Sequence, residues 1–299
     1  MNLAAKYPLY IVAILFVLLA TNSAYAKSSV DAESNVYKPS VKNWKNTVDK
    51  ATFTSDSWMW NLDNKDRYHK NQYRSSVLSV PSTSIPDDIT LVVWFHGLGG
   101  FTQSGFENRI LPQMEFLVSG KHSFALAIPE MPWSINTSTP RGRQGQVWKR
   151  PGELEKYVNS ARQRLEIWSL LRHQKPLGSV RVIFIGHSAG GSALMAAAKE
   201  GSLCRVKPEA VIWSDASYGY WLDNTMNSCI KALDTNLHIL VRKWDKPHIG
   251  AERVMKAVKR LPKPPTPKIF YQVLDRRKWT HRRIGNSVFE LTKVFPPGC

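Results

Sequence analysis

Cysteine is scarce in this 299-residue chain, which has three. Three are too few for a disulfide scaffold, and no C-x-x-C spacing offers a structural zinc site. Acid is the scarce charge: 23 Asp and Glu face 41 Lys and Arg, for a formal charge of +18. That balance permits polyanion binding, yet no recognised nucleic-acid motif accompanies it, so no specific nucleic acid is expected as a partner. Beyond the first twenty residues there is no apolar run long enough to cross a bilayer. Internal repeats are absent, as is any linker long enough to divide the chain. With 43% hydrophobic and 21% charged residues, a largely disordered or fibrous chain is excluded.

The N-terminus has the layout of a secretory signal peptide over residues 1–26. Lys6 supplies the positive region, Leu9 to Ala20 is apolar apart from Tyr10, and Ala24-Tyr25-Ala26 is a small-x-small cleavage site before Lys27. An uncleaved anchor is the alternative. A secreted or periplasmic protein without a stable membrane span is expected after cleavage. Residues 27–50 are polar and read as a flexible leader, and 51–299 as a single domain. In an oxidising compartment Cys204 and Cys229, on either side of an expected strand, can pair; three free thiols are the alternative. Asn136-Thr137-Ser138 fits a glycosylation sequon.

Edge strands suit Ser57–Asn61 and Tyr73–Val80, closed by Pro81 and Pro86. The pattern then turns α/β. Thr90 to Phe95 and Val180 to Ile185 are continuous β-branched and apolar runs, the mark of strands buried on both faces. Further strands fit Phe124–Ile128, Ala210–Ser214, Leu237–Arg242 and Lys268–Leu274. Helices fit Glu107–Val118, Glu153–Arg172, Ser192–Lys199, Glu252–Leu261 and Gly285–Val294; the second carries Leu154, Val158, Ala161, Leu165, Trp168 and Leu171 at three- and four-residue steps. This alternation predicts an α/β fold with a mostly parallel central sheet and helices on both faces.

Gly186-His187-Ser188-Ala189-Gly190 matches G-x-S-x-G. Its context strengthens it, because an apolar strand leads in and a small-residue helix leads out. A serine there sits on a sharp turn with its hydroxyl above the sheet, near a helix N-terminus that favours negative charge. An earlier strand ends in His96-Gly97-Leu98-Gly99-Gly100. A developing oxyanion needs two backbone N–H donors; Ala189 offers one, and Leu98 or Gly99 the other. His96 is expected to support that turn.

The serine needs a base. His281, seven residues beyond the last strand, can reach the C-terminal edge of the sheet on a loop; His248 is its rival, and His187 is expected to diverge from its serine neighbour. An acid must orient the imidazole. Asp215 leaves its strand without slack and is slightly favoured, while Asp245 follows the next strand by three residues.

On these residues the chain resembles the α/β-hydrolase superfamily, in its serine esterase and lipase-like branch, over roughly residues 88–295. The family order of serine, acid and histidine is kept by Ser188, Asp215 or Asp245, and His281. The family usually places its acid after the strand corresponding to Leu237–Arg242, at Asp245; some members place it one strand earlier, at Asp215. The resemblance implies acyl transfer to water through an acyl-enzyme on Ser188, with no cofactor and no metal.

Substrate contacts are expected at the same edge. Arg276, Arg277, Lys278, Arg282 and Arg283 bracket His281, and Arg141, Arg143, Lys149 and Arg150 follow the Phe124–Ile128 strand. A positive rim attracts an anionic polymer or glycan. Trp133, Trp221, Trp244 and Trp279 fall near strand ends, where rings stack on sugars or line acyl pockets. Three readings follow: an exported carboxylic ester hydrolase, a peptidase or amidase with the same triad, and a non-catalytic polyanion-binding protein on the hydrolase scaffold.

Overall fold

The structure is a computed structural model that describes residues 55–66, 72–97, 110–129 and 147–295, without the side chains of 55–66, 72–75 and 232. The expected signal peptide, leader and sequon lie outside the described residues, as do Leu98, Gly99, Trp133, Arg141, Arg143 and Cys299.

Eight strands form one sheet in the order β1-β2-β4-β3-β5-β6-β7-β8. The chain enters through β1 (Ser55–Asp66) and β2 (Gln72–Pro81), which pair antiparallel with each other; β2 pairs antiparallel with β4. From β3 (Asp88–Phe95) onward the sheet is parallel, through β4 (Phe124–Pro129), β5 (Ser179–His187), β6 (Ala210–Ser214), β7 (Asn236–Arg242) and β8 (Lys268–Leu274). Helix α1 (Leu111–Ser119) lies between β3 and β4, and α2 (Glu153–His173) between β4 and β5. Helices α3 (Gly191–Glu200) and α4 (Ser202–Val206) follow β5, α5 (Trp221–Met226) follows β6, and α6 (Lys246–Val258) follows β7. Two short helices, α7 (His281–Asn286) and α8 (Val288–Thr292), follow β8.

The strand period of two divides the core. Along β3, Leu91, Val93 and Phe95 enter one apolar cluster with α2, α3 and α6, while Val92 and Trp94 enter a second with α1 and α8. Both clusters draw on the same apolar runs, which is why those runs show no polar alternation. Small residues on α3, among them Ala193, Ala196 and Ala197, are fully buried and let that helix lie close on the sheet.

The structure departs from the sequence-based expectation at two helices. The helix expected at Glu252 begins at Lys246, because Asp245 caps it by accepting the Lys246 N–H at 3.0 Å and Pro247 fits its first turn. The helix expected from Gly285 to Val294 is two short ones. The first starts at His281, with the Thr280 hydroxyl accepting the Arg283 N–H at 3.1 Å. His281 therefore sits in the first turn of a helix rather than on a loop.

Cys204 and Cys229 form a disulfide with Cα atoms 6.0 Å apart. It ties the middle of α4 to the segment that follows α5.

Candidate active site

Ser188 closes β5. Its backbone has φ +54°, the left-handed region, which costs a residue with a Cβ about 1–2 kcal/mol. Buried strand on one side and buried helix on the other hold it there. The chain behind it passes so close to β3 that a Cβ at position 190 would stand 2.1 Å from the Phe95 carbonyl oxygen, so only glycine fits. Ser188 itself is half-buried, and its side chain reaches the surface of the site.

The β3 turn runs beside it. A Cβ on Gly97 would lie 3.0 Å from Ser188 Cβ and 3.5 Å from its Oγ. The Gly97 carbonyl accepts from His96 Nδ1 at 2.7 Å, so His96 braces this turn from a buried position. Ala189, buried directly after the serine, lies in the single helical turn, Ser188–Gly190, that leads into α3.

Asp215 ends β6, adjacent to β5, and also has positive φ, +48°. It has no solvent exposure, and its Oδ2 accepts from His281 Nδ1 at 2.6 Å. Its Oδ1 accepts the Arg242 backbone N–H at 3.2 Å, and its own N–H donates to the Leu240 carbonyl at 2.8 Å. The ends of β6 and β7 thus aim this carboxylate at the imidazole. A buried carboxylate survives only with such partners, and a charge-assisted bond to a histidine is among the shorter and stronger kinds.

Asp245 is engaged elsewhere. Its carboxylate pairs with the Arg242 guanidinium and caps α6. Burial would raise its pKa, but the Arg242 guanidinium, the Lys246 N–H and the nearby His281 hold it below the usual carboxylate value. Among the described residues, the carboxylate that touches His281 is that of Asp215. His248 is also occupied: its Nδ1 accepts the Trp244 N–H at 3.0 Å.

The His187 ring stacks on that of His281, with centroids 4.7 Å apart and planes 27° apart. Its Nδ1 is 3.1 Å from the Ser214 carbonyl, to which it donates. No hydrogen bond joins Ser188 to His281 among the described residues; the base meets the elbow through His187. Nothing in the local sequence announces this contact, since it depends on where α7 docks.

The tryptophans differ in setting. Trp221 is partly buried against the core and packs edge-on to Tyr218, with centroids 5.7 Å apart. Trp279 is half-buried, with the Arg283 guanidinium 4.9 Å from its ring centre. Trp244 is 72% exposed and has φ +62°, with the Lys243 ammonium 4.6 Å over its ring. Arg276, Arg277, Lys278 and Arg282 are exposed, and none pairs with a carboxylate among the described residues.

No group of three or more metal-ligating side chains comes together among the described residues. No protein-family model matches the chain. No curated protein matches it either. Among solved structures it is similar to one named FAE, at 12% identity over 88% of this chain and 95% of that one, with a TM-score of 0.53. It is also similar to a feruloyl esterase module from Clostridium thermocellum, at 10% identity over 85% and 93%, with a TM-score of 0.49. A dienelactone hydrolase from Anabaena variabilis matches at 14% identity over 79% and 94%, with a TM-score of 0.46. With its mainly parallel sheet, its strand-to-helix elbow at Ser188 and the first of these likenesses, the chain has the α/β-hydrolase fold.

Proposed function

We propose that this protein is a serine hydrolase that cleaves carboxylic esters through an acyl-enzyme on Ser188. One observation carries the reading: a fully buried Asp215 holds His281 Nδ1 at 2.6 Å, at the end of the strand next to the one that Ser188 closes. Asp215 keeps the proton on Nδ1, so that Nε2 is the basic atom. His281 Nε2 takes the Ser188 hydroxyl proton as Oγ attacks the ester carbonyl. The N–H groups of Ala189 and of Leu98 or Gly99 stabilise the oxyanion. Collapse expels the alcohol, which receives the proton from His281. Water then attacks the acyl-enzyme and passes a proton to His281; the acid leaves, and the proton returns to Ser188.

The protein acts outside the reducing cytosol. The signal-peptide layout of residues 1–26 and the Cys204–Cys229 disulfide support this. Its substrate is an ester on an anionic polymer or glycan. The exposed cations on the turn after β8, which leads straight to His281, favour an anionic group, and the exposed Trp244 ring offers a stacking surface.

The test compares wild type with Ser188→Ala. Fluorophosphonate labelling and hydrolysis of short acyl esters are expected in wild type and lost in the variant. Equal turnover by both, or labelling elsewhere, overturns the serine mechanism. Faster cleavage of peptide amides than of matched esters makes the protein an amidase. Hydrolysis of neutral esters with no turnover of charged polymers removes the polymer assignment alone.

A further inference from the structure

The ring beside the base has a role that the triad description leaves out. His187 is 1% exposed and lies among four parts of the site. In sequence it immediately precedes Ser188. Its Nδ1 reaches the carbonyl of Ser214, the residue before Asp215, at 3.1 Å, and the Ser214 hydroxyl at 3.3 Å. Its face covers the His281 imidazole. Its edge touches α7, the helix that carries His281: a Cβ at Gly285 would stand 2.7 Å from His187 Cε1, 2.9 Å from Nε2 and 3.0 Å from Nδ1. Position 285 is therefore closed to any side chain while His187 keeps this place. The Gly285 carbonyl is in turn held by Gln113 Nε2 of α1 at 3.0 Å.

We propose that His187 is a positioning residue, the seat on which the His281 imidazole rests; the inference rests on the serine-hydrolase reading above. The covalent link at Cβ and the bond from Asp215 to Nδ1 hold one side of the ring and leave its tilt unset. A second constraint is needed to aim Nε2. The stacked face of His187 supplies it, because a ring packed over the imidazole limits that tilt. The same face lies over the ring on which charge forms when His281 accepts the serine proton. His187 stays in register because Ser214 holds its Nδ1, and Ser214 moves with Asp215. One buried ring thereby couples nucleophile, acid and base. Gly285 has the complementary part: it leaves α7 close enough for the two imidazoles to meet.

The experiment measures kcat and KM on a small neutral aryl ester for wild type, His187→Phe, His187→Asn and Gly285→Ala, with melting temperatures for each. His187→Phe keeps the flat face and loses the bond to Ser214. His187→Asn keeps a donor for Ser214 and loses the face. Displacements of about 1 Å at a catalytic group cost roughly 100-fold. The Asn variant is accordingly expected to lose about 30- to 100-fold in kcat with KM within about twofold, and the Phe variant to recover most of that loss. Gly285→Ala, which pushes the ring from behind without removing it, is expected to lose kcat in the same way. A His187→Asn variant that folds and turns over like wild type overturns the proposal. So does a Phe variant no better than Asn, since the face would then have no part. If Gly285→Ala keeps full kcat, the seat is not required. A wild-type protein whose esterase activity survives Ser188→Ala would instead refute the serine mechanism, an outcome distinct from all of these.

Discussion

Replacing Asp215 by Asn, beside the same change at Asp245, separates the two carboxylates that leave adjacent strands. Asn has nearly the shape of Asp and fits the fully buried pocket. Its amide still accepts one N–H, from Arg242, but its NH2 now faces His281 Nδ1 where an acceptor stood at 2.6 Å. The imidazole answers by carrying its proton on Nε2, so it meets Ser188 as a donor instead of a base. The same change at the buried aspartate of a chymotrypsin-type triad costs about 10⁴ in kcat, or about 5.4 kcal/mol at 1.36 kcal/mol per tenfold. His281 is one-third exposed here, so water can partly stand in, and a loss of about 10³ to 10⁴ is expected. Asp245→Asn removes a partly exposed pair with Arg242 and keeps an N-cap side chain of similar rank on α6, a cost of at most about 1 kcal/mol in stability. Its kcat should stay within about threefold of wild type. Steady-state hydrolysis of an aryl acetate reads both, with thermal melts to confirm folding. A larger loss at Asp245 than at Asp215 would show that the imidazole works with the other carboxylate during turnover.

Cutting the disulfide with paired Ala replacements of Cys204 and Cys229 frees a 25-residue loop, for which chain entropy gives about 3.5 kcal/mol; urea unfolding should show it, and a change under 1 kcal/mol would refute the estimate. Burial against Phe270 pushes the His238 imidazole down to about 4. The unfolded chain then binds more protons than the folded one between the ordinary histidine value and 4, so stability is full above that ordinary value and falls as pH drops toward 4. The loss is about 3 kcal/mol, and His238→Phe should flatten the denaturation-versus-pH curve in that window. Ser188→Gly should abolish turnover yet raise the melting temperature by roughly 2–4 °C relative to Ser188→Ala, because glycine takes φ +54° without strain; equal melting temperatures would show that the elbow is not strained.

The inner parallel strands were legible because they are buried on both faces and so read as unbroken apolar runs, as Ala210–Ser214 does; the edge strand Lys268–Leu274 is mostly exposed, yet it too ends where the sequence places it. The elbow was legible because glycine is forced wherever backbone meets backbone, as Gly190 meets Phe95. The acid stayed ambiguous because Asp215 and Asp245 both follow strand ends. One local signal separates them: Asp245-Lys246-Pro247 is a helix cap followed by proline in the first turn, which commits that carboxylate to α6. Thr280 before His281 is a similar signal, a hydroxyl that caps the helix on which the base sits. The contact between His187 and His281 left no mark in the sequence, since their adjacency comes from the docking of a helix 94 positions away.

Three of the residues other than glycine that take positive φ, Ser188, Asp215 and Trp244, follow the C-terminal ends of the neighbouring strands β5, β6 and β7. Natural selection on turnover must defend these positions generation by generation, because glycine at Ser188 or at the exposed Trp244 would relieve the backbone with little loss of packing. A lineage that no longer needed the reaction would shed these side chains early and keep the sheet, leaving descendants sturdier than their ancestor and chemically silent. Engineers seeking heat resistance face the same gradient, and screens that score survival alone will drift downhill along it.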